Sequence, residues 1–372
     1  MSKKEKGPVW AAGAMSGTSF DGVDVAVIET DGLDILDFGD IHEVIYCDED
    51  RDVLRAAMGA WPGAARADAA ALVVENAHIA AMAGLPDVAV LGFHGQTLAH
   101  DPDGGRTHQV GDGARLATAL GCEVIWDFRS ADMEMGGQGA PLAPFYHWAC
   151  ARWVGAEGPV VFLNLGGVGN LSWVDPTMDA PELLGACLAF DTGPANAPMD
   201  DLMAARGLGR FDSDGALAAR GQVDLGILER ALGDPWFDLA PPKSLDRDAF
   251  AGLQDAVAGL ADADALATLA ACAAGAVGRG IPHLPRRPER IFVTGGGRRN
   301  KTLMAMLAEA TSCPVSPVEE VGLNGDALEA QAFAYLAVRA SRGLPTSAPG
   351  TTGVAAPVGG ARRSRPGTRA LS

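Results

Sequence analysis

The feature that most constrains the fold is a design that occurs twice: an apolar stretch, a glycine-rich turn with short polar side chains, and a second apolar stretch. It covers residues 9–29 and residues 160–174, with the turns at 17–22 and 166–170. This pattern is typical of two strands joined by a hairpin. A third apolar stretch, residues 290–297, ends in three glycines and leads into a helical pattern. The repeat predicts two related lobes.

Patterns with the period of an α-helix lie between these strands. They cover residues 51–60, 64–83, 113–120, 141–152, 198–206, 263–279 and 326–341. Strands that alternate with helices are typical of an α/β chain whose largely parallel sheets are covered by helices. After residue 343 the composition shifts to Pro, Gly, Ser, Thr and Arg, which predicts a frayed tail.

Composition limits the classes of partner. Of 372 residues, 48% are hydrophobic and 20% are charged, which provides enough apolar material for two lobes. The formal net charge of −18 disfavours nucleic acid and anionic membranes, because an acidic surface repels phosphate groups. No uncharged apolar run reaches ~18 residues, so no membrane span is expected. The six cysteines lack disulfide or metal spacing, and with the quickly polar start they predict a cytoplasmic protein.

Several common catalytic and nucleotide-binding motifs are missing. The sequence contains no GxxxxGK(S/T) loop, which excludes a P-loop, and no GxGxxG, which leaves a dinucleotide fold without support. It also lacks HExxH, GxSxG and the HRD motif of protein kinases. The seven histidines show no metal-ligand spacing. A nucleotide site would have to be built from the glycine-rich turns themselves.

The three glycine-rich strand ends are suited to phosphate, because backbone N–H groups converge on an anion where no Cβ blocks the approach. The hydroxyls of Thr18 and Ser19 add donors. Asp21 places a carboxylate where Mg²⁺ between phosphates needs one, directly or through water. Each turn alone is more typical of an ordinary hairpin. Three of them in one chain favour phosphate binding.

Asp191 follows an apolar stretch, residues 188–190, and opens a turn-prone run that ends at Pro194. A carboxylate in this place is suited to act as a general base on a hydroxyl or a water molecule. Burial would raise its pKa and a nearby cation would lower it, and the sequence leaves both open. Taken alone, the residue is equally well interpreted as an Asx-turn or a helix N-cap.

Two further apolar stretches end in polar residues, as ligand-binding strands of α/β sheets do. Residues 93–97 follow one of them and Arg129 follows the other. Arg129 is suited to bind a carboxylate with two hydrogen bonds, or to pair with Asp127 or Asp132. The polar, flexible residues 136–139 are suited to a hinge between lobes or to a loop that contacts a sugar.

Ten short blocks give the sequence a resemblance to a known family, the anhydro-N-acetylmuramic acid kinases. The blocks are residues 15–24 (MSGTSFDGVD), 93–97 (FHGQT), 109–112 (QVGD), 127–129 (DFR), 136–141 (GGQGAP), 164–170 (NLGGVGN), 190–196 (FDTGPAN), 242–244 (PKS), 294–300 (TGGGRRN) and 326–333 (DALEAQAF). One such block is weak, whereas ten in this order are specific. The resemblance extends over residues 9–345, which is nearly the whole chain.

The resemblance implies an α/β chain with the two-lobed actin/hexokinase-like ATPase fold and a central cleft. Residues 1–135 would form the N-terminal lobe, completed by a C-terminal helix over 326–345. Residues 136–325 would form the C-terminal lobe, and residues 346–372 a partly disordered tail. Family analogy and exposed apolar helices favour a homodimer.

The family's reaction converts ATP, water and 1,6-anhydro-N-acetylmuramic acid into N-acetylmuramic acid 6-phosphate and ADP, in peptidoglycan recycling. Water attacks the anomeric carbon as the anhydro bridge opens, and the released O6 takes the γ-phosphoryl group. The resemblance makes Asp191 the base for that water. It also gives a reason for an arginine near the lactyl carboxylate of the sugar, and Arg129 is the expected residue.

The resemblance also assigns the binding residues. Those expected to bind ATP are Gly17, Thr18, Ser19, Phe20, Asp21, Gly22, Val23, Asp24, Asn164, Gly166, Gly167, Asn170, Gly295, Gly296 and Gly297, with Asp21 as the ligand of Mg²⁺. Those expected to bind the amino sugar are His94, Gln96, Thr97, Asp112, Arg129 and Gln138.

Two alternatives stay open. One is a kinase of the same fold that acts on another small sugar or acid, and the other is a non-catalytic, ATP-gated binding protein. The sequence also departs from the usual family pattern. Phe20 replaces an aliphatic residue, Gly169 a serine, Ala195 a glycine and Arg298 an alanine. None of these changes removes a chemical group assigned to the site.

Overall fold

The computed structural model of the protein describes residues 7–17, 19–245 and 247–367. The chain divides into two units. Unit 1 comprises Met1–Trp153, Asp179–Leu184 and Ala327–Ser372, and unit 2 comprises Val154–Met178 and Gly185–Asp326.

The strands follow the predicted hairpins. They are β1 (Val9–Ser16), β2 (Gly22–Thr30), β3 (Ile35–Ile45), β4 (Val90–Asp101), β5 (Arg106–Val110), β6 (Val124–Trp126), β7 (Val160–Leu165), β8 (Val168–Val174), β9 (Cys187–Pro194), β10 (Ile291–Thr294), β11 (Val315–Pro317) and β12 (Arg362–Ser364).

All seven predicted helices are present, together with five others in the described part of the chain. The α-helices are α1 (Asp48–Ala57), α2 (Ala65–Met82), α3 (Gly113–Leu120), α4 (Ser130–Glu134), α5 (Pro144–Trp153), α6 (Ala197–Ala205), α7 (Leu225–Leu232), α8 (Gly252–Val257), α9 (Asp262–Gly280), α10 (Lys301–Thr311), α11 (Leu328–Ser341) and α12 (Pro349–Thr352). Short 3₁₀ helices cover Ser213–Gly215, Ala218–Arg220, Pro235–Asp238, Arg247–Phe250, Ile281–His283, Gly296–Arg299 and Val318–Val321.

The sheets of the two units repeat one strand order. In unit 1 the neighbours are β3, β2, β1, β4 and β6, with β12 beyond β6 and β5 beside β4. In unit 2 the order is β9, β8, β7, β10 and β11. On each five-strand path the first three strands are antiparallel and the rest are parallel. The sheets are therefore less parallel than predicted, because strands joined by tight turns pair antiparallel.

Helix α11 covers one face of the unit 1 sheet, where two glycines admit its backbone. A Cβ on Gly13 of β1 would lie 2.0 Å from the carbonyl oxygen of Ala330. A Cβ on Gly92 of β4 would lie 2.1 Å from the carbonyl oxygen of Phe333. Atoms cannot approach so closely, so these strand positions require glycine. On its other side the sheet packs against α1, α2 and α3, whose Leu54, Val74 and Leu116 are buried in the same core.

The border between the units falls after Trp153 and not after residue 135, which corrects the predicted boundary. The reason is that α5 packs on α11, where the Tyr146 hydroxyl donates to Gln331 Oε1 at 2.8 Å. Residues Asp179–Leu184 also belong to unit 1. There Glu182 forms an ion pair with the fully buried Arg339 of α11, at 2.7 Å.

Helix α9 lies in the core of unit 2. The segment Asp262–His283 is long and apolar enough to cross a membrane by length and composition, and 67% of its apolar 18-residue window is buried inside the protein. Leu266, Leu269 and Val277 pack with β-strand residues in one hydrophobic core. The apolar character of this segment is explained by its place in the core.

The segment after residue 345 is ordered, so the prediction of a frayed tail is wrong for residues 346–367. Strand β12 pairs antiparallel with β6, with Arg362 opposite Trp126. Ser347, Thr351 and Thr352 are buried. Composition suggested disorder, but hydrogen bonds to distant residues of unit 1 hold the segment in place. The end of the predicted tail, residues 368–372, lies outside the described residues.

Candidate active site

The carboxylate of Asp191 is held by two neutral donors. Asp191 lies near the end of β9, opposite Asn170 of β8. Asn170 Nδ2 donates to Oδ1 at 2.8 Å, and the backbone N–H of Leu245 donates to Oδ2 at 2.8 Å. Each oxygen thus accepts one hydrogen bond, which fixes the carboxylate and leaves lone pairs for a further donor.

Burial raises the pKa of Asp191 above its usual value, and the hydrogen bonds from Asn170 and Leu245 lower it in part. Desolvation therefore outweighs the other causes, which the sequence could not decide. A raised pKa makes the carboxylate a stronger base near neutral pH. The two donors, the side chain of Asn170 and the backbone N–H of Leu245, are 21 and 54 residues away along the chain, so the alternative of an Asx-turn or N-cap has no support.

The segment that precedes Leu245 is anchored through Lys243. The carbonyl of Lys243 accepts the backbone N–H of Asp191 at 2.9 Å. Its Nζ donates to the carbonyl oxygens of Phe237 (2.9 Å) and Trp236 (3.2 Å), and lies 4.2 Å from the centre of the Trp236 ring. No sequence pattern predicted a site role for Lys243 or Leu245. Leu245 acts through its backbone, which no side-chain pattern reveals.

In unit 2 the turn between β7 and β8 packs directly against the turn after β10. A Cβ on Gly295, whose φ is +71°, would lie 2.3 Å from Asn164 Oδ1, and one on Gly297 would lie 2.5 Å from Leu165 Cβ. Asn196 Nδ2 donates to the Leu165 carbonyl at 2.8 Å. The contacts bring together the predicted residues Asn164, Gly166, Gly167, Gly295, Gly296 and Gly297.

A cavity of about 810 Å³ adjoins the second of these turns. Its wall includes Gly296, Gly297, Asn300, Met304 and the exposed ring of Phe211. The volume lies within the range of ~300–1,000 Å³ that small-molecule sites have, and the mix of apolar and polar lining is typical of them. Two residues of the predicted nucleotide site, Gly296 and Gly297, thus border a cavity large enough for a small molecule.

The first hairpin of unit 1 places its predicted residues in different surroundings. Ser19 and Asp21 are exposed at the turn, whereas the side chains of Phe20 and Val23 belong to the core. Phe20 has a φ of +57°, a conformation that non-glycine residues rarely adopt. Its carbonyl accepts Arg51 Nε at 3.2 Å.

The remaining predicted residues of this hairpin are the strand ends and Thr18. Gly17 follows β1, and Gly22 and Asp24 lie on β2. A Cβ on Gly22 would lie 2.4 Å from the carbonyl oxygen of Val44, so this position also needs glycine. Thr18 lies outside the described residues.

Gln96 is completely buried and serves the interior of unit 1. Ser16 Oγ donates to Gln96 Oε1 at 2.5 Å, and lies 3.0 Å from the Tyr46 hydroxyl. Burial raises the pKa of Tyr46 to about 12, so its hydroxyl stays protonated. This group links the end of β1 to β4, and sequence analysis missed Ser16 and Tyr46.

Arg129 and His94 form one hydrogen-bonded group. Arg129 donates through Nε (3.1 Å) and Nη2 (2.9 Å) to His94 Nε2, and through Nη1 to the Gly139 carbonyl at 2.7 Å. Because His94 Nδ1 contacts the Gly95 carbonyl at 2.9 Å, Nδ1 carries the proton and Nε2 accepts. Burial and the charge of Arg129 hold the pKa of His94 well below its usual value, so the ring is neutral.

These contacts use three of the five N–H groups of Arg129. The nearby carboxylate of Glu329 acts on the charge of the guanidinium, and neither Asp127 nor Asp132 hydrogen-bonds to its other two N–H groups. Asp127 pairs with Arg362 at 3.0 Å, and Asp132 accepts from neutral donors. Arg129 therefore remains suited to an anionic ligand.

The other predicted sugar residues are less closely grouped. The backbone N–H of Gln138, next to Gly139, donates to the Thr352 carbonyl at 2.8 Å. Thr97 Oγ1 accepts Gln109 Nε2 at 3.2 Å. Asp112 caps α3 by accepting the Ala114 N–H at 2.8 Å. In the described part of the chain, neither Thr97 nor Asp112 has a hydrogen bond to Arg129 or His94.

Two of the sequence departures have simple structural outcomes. Ala195 is buried and is not among the non-glycine residues with positive φ, so its methyl group causes no backbone strain. Arg298 is buried beside the Gly295 turn. It donates to the Gly295 carbonyl and to Glu319 at 2.8 Å each, and pairs with Asp326 at 2.9 Å.

Both units contain five strands in the same order, with antiparallel strands at the hairpin and parallel strands beyond it. This duplicated arrangement is the architecture of the actin/hexokinase-like ATPases, and the chain has that fold.

Comparisons with known proteins identify the family. The family model for anhydro-N-acetylmuramic acid kinase matches residues 10–361. The chain is 74% identical to anhydro-N-acetylmuramic acid kinase 1 of Jannaschia sp. (strain CCS1), over 100% of both chains. It is 62% identical to the anhydro-N-acetylmuramic acid kinase of Cereibacter sphaeroides, over 98% of both. The chain belongs to the anhydro-N-acetylmuramic acid kinase family.

Solved structures with a similar arrangement share little sequence. The activator of the 2-hydroxyisocaproyl-CoA dehydratase from Clostridium difficile, with bound ADPNP, is 12% identical with a TM-score of 0.45, over 90% of this chain and 96% of that one. A ROK family glucokinase from Streptomyces griseus, in complex with glucose and AMPPNP, is 13% identical with a TM-score of 0.43, over 88% and 99%.

Proposed function

We propose that the protein uses ATP and water to convert 1,6-anhydro-N-acetylmuramic acid into N-acetylmuramic acid 6-phosphate, in peptidoglycan recycling. Membership of the family supports the reaction class. The observation that carries the proposal within this chain is the Asp191 carboxylate, which two neutral donors hold and burial makes more basic.

In the proposed reaction Asp191 takes a proton from water, whose oxygen forms a bond to the anomeric carbon. The bond between that carbon and O6 breaks, and its electron pair stays on O6. O6 then attacks the γ-phosphorus of ATP, and the bond to the β–γ bridging oxygen breaks with release of ADP. The proton leaves Asp191 for solvent after turnover. Proton transfer from water needs only one lone pair of Asp191. Lone pairs remain available, because each carboxylate oxygen accepts a single hydrogen bond in the structure.

We propose that ATP binds through the glycine-rich turns. In unit 2, the backbone N–H groups of residues 166–167 and 295–297 would take phosphate oxygens, and the adjoining cavity would take the nucleoside. In unit 1, residues 17–24 are retained as phosphate ligands.

Mg²⁺ would arrive with ATP. The exposed carboxylate of Asp21 fits this ion, because protein-bound Mg²⁺ usually has one or two carboxylates plus phosphate oxygens and water. Within the described residues, no three His, Cys, Asp or Glu side chains lie together as a metal site.

We propose that Arg129 binds the lactyl carboxylate of the sugar with the N–H groups that His94 and Gly139 leave available. His94 would orient the guanidinium, and Gln138 would contact the sugar from the adjacent loop. Gln96, Thr97 and Asp112 are retained as members of the sugar site.

A cytoplasmic homodimer without nucleic-acid or membrane partners is part of the proposal. The net charge of −18 supports the exclusion of anionic partners. Exposed apolar side chains on β3, Leu36, Ile41 and Ile45, support contact with a second copy. Light scattering of the purified protein measures its molar mass, which distinguishes a dimer from a monomer.

The test is coupled ADP release with 1,6-anhydro-N-acetylmuramic acid, against N-acetylmuramic acid and a panel of hexoses. These two amino sugars differ by the anhydro bridge, so the open form is the matched control. We expect turnover only with the bridged sugar. Faster turnover with an open-ring hexose would show that the protein is a kinase of another substrate.

A further inference from the structure

Asp132 is a buried carboxylate, 1% exposed, that is held by neutral donors. The backbone N–H of Gly139 donates to Oδ2 at 2.7 Å. The hydroxyl of Thr352 donates to Oδ1 at 2.7 Å, and the hydroxyl of Ser347 donates to the same oxygen. One side chain thus connects a loop of the sugar site to the C-terminal segment.

The loop over residues 136–141 is shaped around this carboxylate. A Cβ on Gly137 would lie 2.2 Å from Asp132 Oδ2, so only glycine lets the loop approach. The N–H of Gln138 donates to the Thr352 carbonyl at 2.8 Å. Thr352 therefore holds the loop twice, once directly and once through Asp132.

The same loop contacts Arg129, the residue expected to bind the carboxylate of the sugar. The carbonyl of Gly139 accepts Arg129 Nη1 at 2.7 Å, while the N–H of Gly139 is bound by Asp132. The backbone N–H and carbonyl of Gly139 are therefore both hydrogen-bonded, and the carbonyl helps to hold the guanidinium of Arg129. A displacement of Gly139 would turn Arg129 away from its position.

Burial of a carboxylate costs free energy unless hydrogen bonds compensate it. Apolar residues of similar volume would secure a terminal segment at a lower cost. The donors of Asp132 have a more specific effect, since they set the positions of Gly139 and Gln138.

We infer that Asp132 and Thr352 are positioning residues for the sugar site: they fix the loop over residues 136–141, and through it Gln138 and Arg129, for the amino sugar. This inference rests on the proposed function. It assigns the C-terminal segment a part in substrate binding.

The test compares Thr352→Val with Thr351→Val. Both threonines are buried and adjacent, but the Thr351 hydroxyl contacts Ala348 within its own segment. We expect Thr352→Val to raise the KM for the anhydro sugar about tenfold, as loss of a hydrogen bond to a charged group implies. The KM for ATP and kcat should change little. Thr352→Ser should restore the wild-type KM, because it keeps the hydroxyl.

Asp132→Asn gives a second, larger perturbation. An amide nitrogen at Oδ2 would face the N–H of Gly139, and one at Oδ1 would force the Ser347 and Thr352 hydroxyls to turn from donors into acceptors, while the charge is lost in both orientations. We expect a larger rise in the sugar KM than in Thr352→Val. If Asp132→Asn does not fold, the threonine series decides alone.

Hydrogen exchange gives a readout without catalysis. The amides of Gln138 and Gly139 should exchange faster in Thr352→Val than in Thr351→Val. If the wild-type protein does not turn over the anhydro sugar, the proposed function fails, and the exchange rates still decide whether Thr352 holds the loop. Equal sugar KM values in the two valine variants, with or without a change in exchange, would overturn the positioning role.

Discussion

Strands β3 and β9 occupy the same position in the two sheets, at the edge beyond the hairpin, yet they have different surroundings. Most side chains of β3 are exposed, including the carboxylates Asp37 and Asp40. Most residues of β9 are buried, and Asp191 is partly buried with a raised pKa. Equal topology therefore does not give equal chemistry. The cover of the edge strand decides whether burial raises the pKa of a carboxylate on it.

The cover of β9 comes from α9 and from the chain between α7 and α9. Phe237 and Ala276 lie so close to Gly193 that a Cβ there would be within 3.2 Å of the Phe237 ring and 2.8 Å of the Ala276 methyl carbon. Lys243 fixes the same segment through two carbonyl oxygens. Through Lys243 this segment also places the Leu245 N–H on the Asp191 carboxylate.

The largest expected effect is the difference in turnover between variants of the two edge carboxylates. Asp191→Asn removes the base, and turnover should fall by ~10²-fold or more. Asp40→Asn, at the exposed edge of β3, should leave kcat and KM unchanged. Steady-state kinetics on both variants measure the difference. Full turnover by Asp191→Asn, with normal binding of ATP and sugar, would refute the assigned mechanism.

The second comparison concerns one tightly packed glycine in each unit, Gly13 of β1 against α11 and Gly275 of α9 against Leu232 of α7. Gly13→Ala in unit 1 sets a methyl group against the backbone of α11, which cannot yield locally, so the free energy of unfolding should drop by about 2 kcal/mol. Gly275→Ala in α9 meets the end of the flexible Leu232 side chain, at 2.5 Å. Its better helix propensity offsets that contact, so the change should stay within about 1 kcal/mol. Urea denaturation measures both, and equal losses would contradict the distinction.

The third comparison concerns the arginines that hold the glycine-rich turns. Arg298 in unit 2 is buried and bonds the Gly295 carbonyl, whereas Arg51 in unit 1 is partly exposed and bonds the Phe20 carbonyl at 3.2 Å. Arg298→Met should raise the KM for ATP roughly fivefold, which corresponds to one hydrogen bond of about 1 kcal/mol. Arg51→Met should change it by less than about twofold. The reverse order would show that the unit 1 turn is the more tightly held.

The smallest effect should be a displacement of the pH profile. The base must be deprotonated, so activity falls as pH drops through the raised pKa of Asp191. The hydrogen bond from Asn170 lowers that pKa, and Asn170→Leu should therefore move the acid limb of kcat to higher pH. Activity on the alkaline plateau should be nearly unchanged. An acid limb that stays in place or moves to lower pH would contradict this assignment.

Local patterns predicted the elements and the catalytic candidate. The hairpins and the seven helices follow from hydrophobic periodicity, which acts over a few residues. Asp191 could be selected because an apolar strand leads directly to it. The repeated hairpin predicted two related lobes, and the family resemblance supplied the order of the blocks and the actin/hexokinase-like fold.

The sequence could not supply the partners of these residues. Asn170, expected among the ATP ligands, donates its side-chain N–H to Asp191. Leu245 contributes only a backbone group. The tail looked disordered by composition, but Ser347 and Thr352 bond a carboxylate 215 and 220 residues away in the chain. Contacts of such separation depend on the finished fold.

The cover of the unit 1 sheet by α11 has a consequence for synthesis in the cell. Strands β1 and β4 leave the ribosome first, but Ala330 and Phe333, which close over Gly13 and Gly92, emerge after the strands of unit 2. At ~5–20 residues per second, the sheet waits roughly ten to fifty seconds for its helix. Unit 2 comes mostly from one continuous stretch and can be completed earlier. The half of the protein that is made first should therefore be the last to become native, and until then the sheet face that α11 covers stays exposed.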